Sequence, residues 1–184
     1  MPPFDFTDFP VLTTPRLLLR KPLATDAAVI QIIRSDKQVN RYLDRPAEIN
    51  AEQAAVFITR IIKGVAANQW LYWMITLKDS QEAIGSICYW NFSPDQTIIE
   101  IGYELLPDYH GQGIMQEAFG VVLEYGLTQL RPAAIMAYPR VDNQRSRRLL
   151  EKYHFEHILE AAEKRDHHEQ TYQLLNTRYT SPVA

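Results

Sequence analysis

A single cysteine, Cys88, stands among 184 residues. No intramolecular disulfide framework can staple such a chain, and a lone thiol suits a reducing compartment, so a cytoplasmic location is the expectation. Basic charge is also short, with 19 Lys and Arg against 22 Asp and Glu and a formal net charge of -3. That balance offers no field for nucleic-acid phosphate and would better tolerate a cationic ligand. No apolar run approaches the roughly 18 residues of a membrane span. The opening MPPFDFTDFP carries acids and prolines where a signal peptide carries a basic and then an apolar stretch. Metal-ligand spacing is missing too: His167 and His168 are adjacent in a charged segment, and no metal is expected. Nor does the order of residues suggest a nucleophilic Ser/His/Asp or Cys/His arrangement.

What is present is ordinary globular material, 46% hydrophobic and 22% charged, enough for one domain with a real core. Residues 1–11 read as a loose, proline-containing lead-in and residues 12–179 as the domain. RLLLRKP (16–22) has the character of a strand stopped by Pro22. Thr25 and Asn50 are candidate N-caps for two helices with apolar residues at helical spacing. Segments 69–77, 83–92 and 97–106 are rich in aromatic and β-branched residues and are separated by turn chemistry, which predicts an antiparallel meander. A helix of about 17 residues follows, on the usual apolar spacing. Then come a strand over 133–139, a helix over 143–153 and a β-hairpin over 155–175 with a charged loop. Trp70, Trp73, Tyr89 and Trp90 fall in the meander, where they either pack the core or line a cleft.

PDYHGQGIMQEAFG (107–120) joins the third meander strand to the long helix. Glycines at such a junction let a ligand approach the main chain, and the helix start offers unpaired N–H groups at the positive end of its dipole. An anion, typically a pyrophosphate, suits that place. A dinucleotide fingerprint would need a third glycine where Gln116 stands, and no Gly-Lys-Ser/Thr is present for an NTPase loop. A plain tight turn remains the other reading.

In this position the segment resembles motif A of the GNAT superfamily of acyl-CoA N-acyltransferases, Gln/Arg-x-x-Gly-x-Gly/Ala. The motif falls on His110, Gly111, Gln112, Gly113, Ile114 and Met115, with His110 in place of Gln or Arg and Met115 in place of Gly or Ala. RLLLRKP, EIGYELLPDYHGQGIMQEA and VDNQRSRRLLEKYHF together resemble the branch containing the ribosomal-protein N-terminal acetyltransferases RimJ and RimL. The likeness runs from about residue 12 to residue 176. It implies an α/β (α+β) fold, with a mixed, mostly antiparallel sheet of about seven strands flanked by about four helices.

The resemblance also implies acetyl-CoA as co-substrate and an amine that attacks the thioester directly. The acceptor would be a protein N-terminus or a small amine, and the chain a monomer or homodimer. Main chain over 110–115 would hold the pyrophosphate, with Leu105 and Leu106 pairing with the pantetheine arm like a neighbouring strand. Asn143 would cap its helix and bond the CoA arm. Many relatives protonate the leaving thiolate with a tyrosine seven residues beyond that asparagine, where this chain has Leu150. Ser146, one turn from Asn143 on the same helix face, is the substitute. Glu100 and Glu104 share one face of their strand, and Glu100 is the first candidate for general base. Arg145, Arg147 and Arg148 could rim the CoA phosphates or simply face solvent. The alternative is a non-catalytic acyl-CoA-binding module, for which Leu150 and the bulky Met115 would speak.

Overall fold

The computed structural model describes residues 4–159 and 168–177. The chain runs β1 (Leu12–Thr13), β2 (Leu17–Arg20), α1 (Ala27–Ser35), α2 (Lys37–Asn40), α3 (Ala51–Ala66), β3 (Leu71–Leu77), β4 (Ala83–Trp90) and β5 (Ile98–Leu105). It continues with α4 (Ile114–Tyr125), β6 (Ala134–Ala137), α5 (Gln144–Lys152), β7 (Glu156–Ile158) and β8 (Thr171–Leu175). One mixed sheet holds all eight strands in the order β1-β2-β3-β4-β5-β6-β8-β7. Every neighbouring pair is antiparallel except β5–β6. Parallel neighbours need a crossover, and α4 provides it.

Alternation along the strands divides the core into two layers. Leu17, Leu19, Trp73, Ile75 and Tyr89 are buried on the face covered by α4 and α5. Tyr72 and Met74 are buried on the other, against Ile30 of α1 and Ala54, Ile58 and Ile61 of α3. The helix α3 starts where a capping box closes it: Asn50 Oδ1 accepts from Gln53 N–H, and the Gln53 side chain accepts from Asn50 N–H.

The expected mixed, mostly antiparallel sheet is present, with eight strands and five α-helices among the described residues; β1 and the four-residue α2 are too short to show a period in sequence. Other expectations are corrected. Thr25 does not cap α1. It lies in a 3-10 turn over Ala24–Asp26, and Asp26 instead accepts from Leu23 N–H at 2.7 Å and pairs with the Arg20 guanidinium at 2.7 Å. The lead-in is not loose: Phe4 and Phe6 are buried against Phe92, with ring centroids 5.2 and 6.1 Å away. Their N–H groups donate to Gln96 and Asn68.

The long helix after the glycine turn is α-helical only over Ile114–Tyr125 and then widens into a π-turn over Gly126–Leu130. At the change the Tyr89 hydroxyl donates to the Val122 carbonyl at 3.0 Å, sharing that acceptor with Gly126 N–H. A second donor at a ladder carbonyl favours a wider turn. The same hydroxyl would stand 2.3 Å from a Cβ at Gly126. The closing hairpin forms between β7 and β8. Its charged loop, including His167, and the domain's expected end at residue 179 lie outside the described residues.

Candidate functional site

The site begins with a divergence. β5 pairs with β6 only over Ile98–Glu100 and then runs five residues further, to Leu105, while β6 ends at Ala137. Leu106 N–H donates to Ile84 O, so the even-numbered residues of β5 bond toward β4. By antiparallel alternation the main-chain groups of Tyr103 and Leu105 face the opening. There, among the described residues, the chain offers the edge of a strand with no strand beside it.

Immediately beyond, Pro107–Tyr109 form a 3-10 turn and Gly111 and Gly113 take positive φ values of 76° and 74°. Glu117 N–H makes the first intrahelical bond, to Gly113 O at 3.0 Å. The N–H groups of Ile114, Met115 and Gln116 precede it and have no acceptor within the helix. Arg16 braces this corner: it pairs with Glu117 at 2.6 Å and donates to Gln112 O at 3.0 Å.

His110 closes the strand end. An Arg side chain only donates, so the 3.0 Å contact of Arg145 Nη1 with His110 Nδ1 makes that nitrogen the acceptor. Nε2 then carries the hydrogen and donates to Leu105 O at 2.9 Å. A groove of about 630 Å³ opens here between β5, the glycine turn and α5. Leu105, His110, Gly111, Gly113, Ile114 and Met115 line one side, and Asn143, Arg145, Ser146 and Arg148 the other.

Two residues expected in this groove lie outside its lining. Leu106 has its N–H bound to Ile84 O on the β4 side, and its carbonyl accepts from Tyr109 N–H at 3.1 Å. Gln112 turns its side chain to Asp108 O at 2.7 Å. Of the three arginines of α5, Arg147 faces away and donates to the Tyr172 hydroxyl at 3.2 Å.

A second cavity of about 630 Å³ lies under α1 and α3, on the opposite face of β5. The register sets Ser86, Cys88 and Trp90 of β4 beside Glu104, Gly102 and Glu100 of β5. Glu100 is buried, with Asn91 Nδ2 donating to it at 3.2 Å. Glu104 is held by Arg45 at 2.7 Å and accepts from Ser86, itself bonded by the Tyr72 hydroxyl. Burial, helped by the charges of Glu104 and Glu100, pushes the Cys88 thiol up to about 12. That thiol is a half-buried, protonated group in the cavity lining. Trp70 and Trp90 line this cavity, whereas Trp73 and Tyr89 are core.

The two cavities share a wall made by Tyr42, Leu43, Tyr103, Glu104, Asn143 and Ser146. Asn143 caps α5, its Oδ1 accepting from Ser146 N–H at 3.2 Å. The Ser146 hydroxyl is 2.7 Å from the Tyr103 hydroxyl, and burial pushes that phenol up to about 12. Leu150, at the position of the missing tyrosine, is fully buried. Sequence reasoning missed Tyr103, although alternation in EIGYELL already sets it on the face opposite the two glutamates. It also missed Arg45, whose loop shows no periodicity at all.

Among the described residues no helix is long and apolar enough to cross a membrane, and no group of three or more His, Cys, Asp or Glu is placed to hold a metal. Known proteins identify the architecture. YoaA of Bacillus subtilis, an uncharacterized N-acetyltransferase, is 32% identical over 148 residues, which cover 80% of this chain and 84% of that protein. The structure of RimL, a ribosomal L7/L12 alpha-N-protein acetyltransferase in complex with coenzyme A, superposes with a TM-score of 0.78 at 19% identity, covering 90% of this chain and 98% of that one. The ribosomal-protein-S5-alanine acetyltransferase of Vibrio fischeri gives a TM-score of 0.78 at 17% identity, covering 93% and 99%. Residues 16–156 match the acetyltransferase (GNAT) domain, and the chain belongs to that family of acetyl-CoA-dependent N-acetyltransferases.

Proposed function

We propose that the acceptor amine, a protein N-terminal α-amino group, sits in the cavity under α1 and α3, and that acetyl-CoA lies in the groove between β5 and α5. The observation that carries this reading is the shared wall: two cavities on opposite faces of one strand meet at Ser146 and Tyr103. The likeness in fold to two ribosomal-protein acetyltransferases supports the choice of acceptor.

The groove fits the co-substrate on its own evidence. A Cβ built on Gly111 meets nothing within 4 Å, so the main chain there faces open space. Arg145 and Arg148 add positive charge beside it. The free N–H groups at the start of α4, with the helix dipole behind them, would hold the diphosphate, and the exposed edge of β5 at Tyr103 and Leu105 would pair with the pantetheine amides. When bound, acetyl-CoA supplies an activated acyl carbonyl open to direct attack.

The remaining work falls to side chains. Glu100 accepts the amine proton, directly or through one water. Glu104 is less suited, because Arg45 and Ser86 occupy its carboxylate. Ser146 Oγ–H hands its proton to the leaving CoA thiolate as the Tyr103 hydroxyl beside it, 2.7 Å away, passes it another. Tyr103 is restored by the proton that Glu100 took from the amine and gives up through solvent. This pair provides the donor that Leu150 cannot, and so favours an enzyme over a silent acyl-CoA-binding module.

The test is a screen of peptides with free amino termini and of small amines, following release of the CoA thiol. Turnover on peptides supports the reading. Turnover on small amines alone would move the acceptor to that class, and no turnover with any amine despite acetyl-CoA binding would leave the silent module.

A further inference from the structure

The cavity under α1 and α3 is electrically uneven. Arg34 of α1, Arg45 of the following loop and Arg60 of α3 all line it, against Glu104 and the exposed Asp44 on that side. Glu100 and Glu169 lie in its remaining lining with Arg140, which pairs with Asp142 at 3.4 Å.

The three arginines are not consumed by the fold. Arg45 gives Nη1 to Glu104 and Nε to Asn40, while its Nη2 is buried with no hydrogen-bond partner among the described residues. A buried donor left unmade costs more than the bond itself contributes, so such a group is normally completed by something. Arg34 and Arg60 lie over the ring of Phe57, 4.1 and 5.4 Å from its centroid, and neither forms an ion pair among the described residues. Burial first, and then the Arg45 charge, pull the Arg34 guanidinium's pKa down, while Glu104 pulls it back up.

We infer that the acceptor carries an oxyanion near its amine, and that Arg34, Arg45 and Arg60 hold this anion while the amine faces Glu100. Guanidinium groups suit the task because their forked donors match carboxylate and phosphate oxygens. The acceptor is then a zwitterion laid along the cavity: an amino terminus followed by acidic side chains, or a small amine bearing a carboxylate or phosphate. The inference rests on the reading of this cavity as the acceptor site.

Binding tests it separately from turnover. With CoA present, calorimetry would compare the amidated peptide Ser-Asp-Glu-Tyr with Ser-Asn-Gln-Tyr, and an aminoalkyl phosphate with its uncharged alcohol. The expected result is at least about ten-fold tighter binding of the charged member of one pair, the effect of one or two charge-assisted hydrogen bonds. The preference should shrink in 0.5 M salt and in Arg60→Gln, and survive in part in Arg60→Lys. Arg60 is exposed, so an unchanged melting temperature will show that its variants fold. The preferred pair distinguishes a peptide from a small-molecule source. Equal affinity within both pairs, or no binding by either, would overturn the inference. Preferential binding without acetylation would keep the arginines as an anion site and sink the reading of this cavity as the acceptor site.

Discussion

The two faces of β5 are made of different material. On the groove side the contacts on offer are main-chain groups: the edge at Tyr103 and Leu105, the turn at Gly111 and Gly113, and the free N–H groups of α4. On the side proposed for the acceptor they are ionisable side chains, with Glu100, Glu104, Arg34 and Arg45 drawn from three separate parts of the chain. On the proposed assignment, a cosubstrate site built from backbone would tolerate side-chain replacement, such as His110 and Met115 where the motif usually has other residues. An acceptor site built from side chains would have no such freedom. Its specificity would then change with one arginine while the fold and the groove stay as they are.

The largest effect expected from pulling these halves apart is at Glu100. Glu100→Gln should lower kcat by about 10²- to 10⁴-fold, the usual contribution of a general base, with the acetyl-CoA Kd unchanged by calorimetry. A kcat within two-fold or so of wild type would remove Glu100 from the chemistry. Ser146→Ala should act next most strongly, lowering kcat by up to about a hundred-fold, toward the lower end for a general acid. Its acetyl-CoA affinity should barely move, as befits a contact made only in the transition state. Equal turnover would exclude Ser146.

Gly111→Ala attacks the other half. Its added Cβ meets no protein atom, so the cost to folding is the positive φ alone, about 1–2 kcal/mol, read by denaturant titration. Acetyl-CoA affinity should fall about ten-fold as the methyl enters the groove, measured by calorimetry. Gly111→Asn tolerates the left-handed backbone better and should show the same loss of affinity with less loss of stability. Retained affinity in both variants would mean that the turn does not contact the ligand. The smallest effect belongs to Cys88. Its raised pKa keeps the thiol neutral at pH 8, so iodoacetamide should label the native protein much more slowly than the unfolded one although Cys88 lines the cavity, and Cys88→Ser should acetylate at close to the normal rate. Equally rapid labelling of the native protein would show that the thiol ionises as readily as a free one.

Much of the fold was legible because it is written locally. The aromatic and β-branched runs of the meander, the Asn50 capping box and the paired glycines each signal their own structure. Short elements carry no period, which hid β1 and α2. The π-turn depends on a tyrosine from another strand, and the docking of Phe4 and Phe6 depends on Phe92, so neither could be read along the chain. The site divides in the same way. Gly111, Gly113, Asn143 and Ser146 came from spacing and resemblance, and Glu100 from strand alternation. Leu106 lies outside the groove's lining, and only the register shows which main-chain groups face the opening. Arg45 and the Tyr103–Ser146 pair exist only after folding.

The most direct test of a backbone-made cosubstrate groove is a calorimetric titration of the purified protein with acetyl-CoA, with NADH and ATP as controls. Saturable binding of one acetyl-CoA per chain, with little heat from either control, is the expected result. No heat from acetyl-CoA, or equal binding of all three, would contradict the assignment of the groove between β5 and α5.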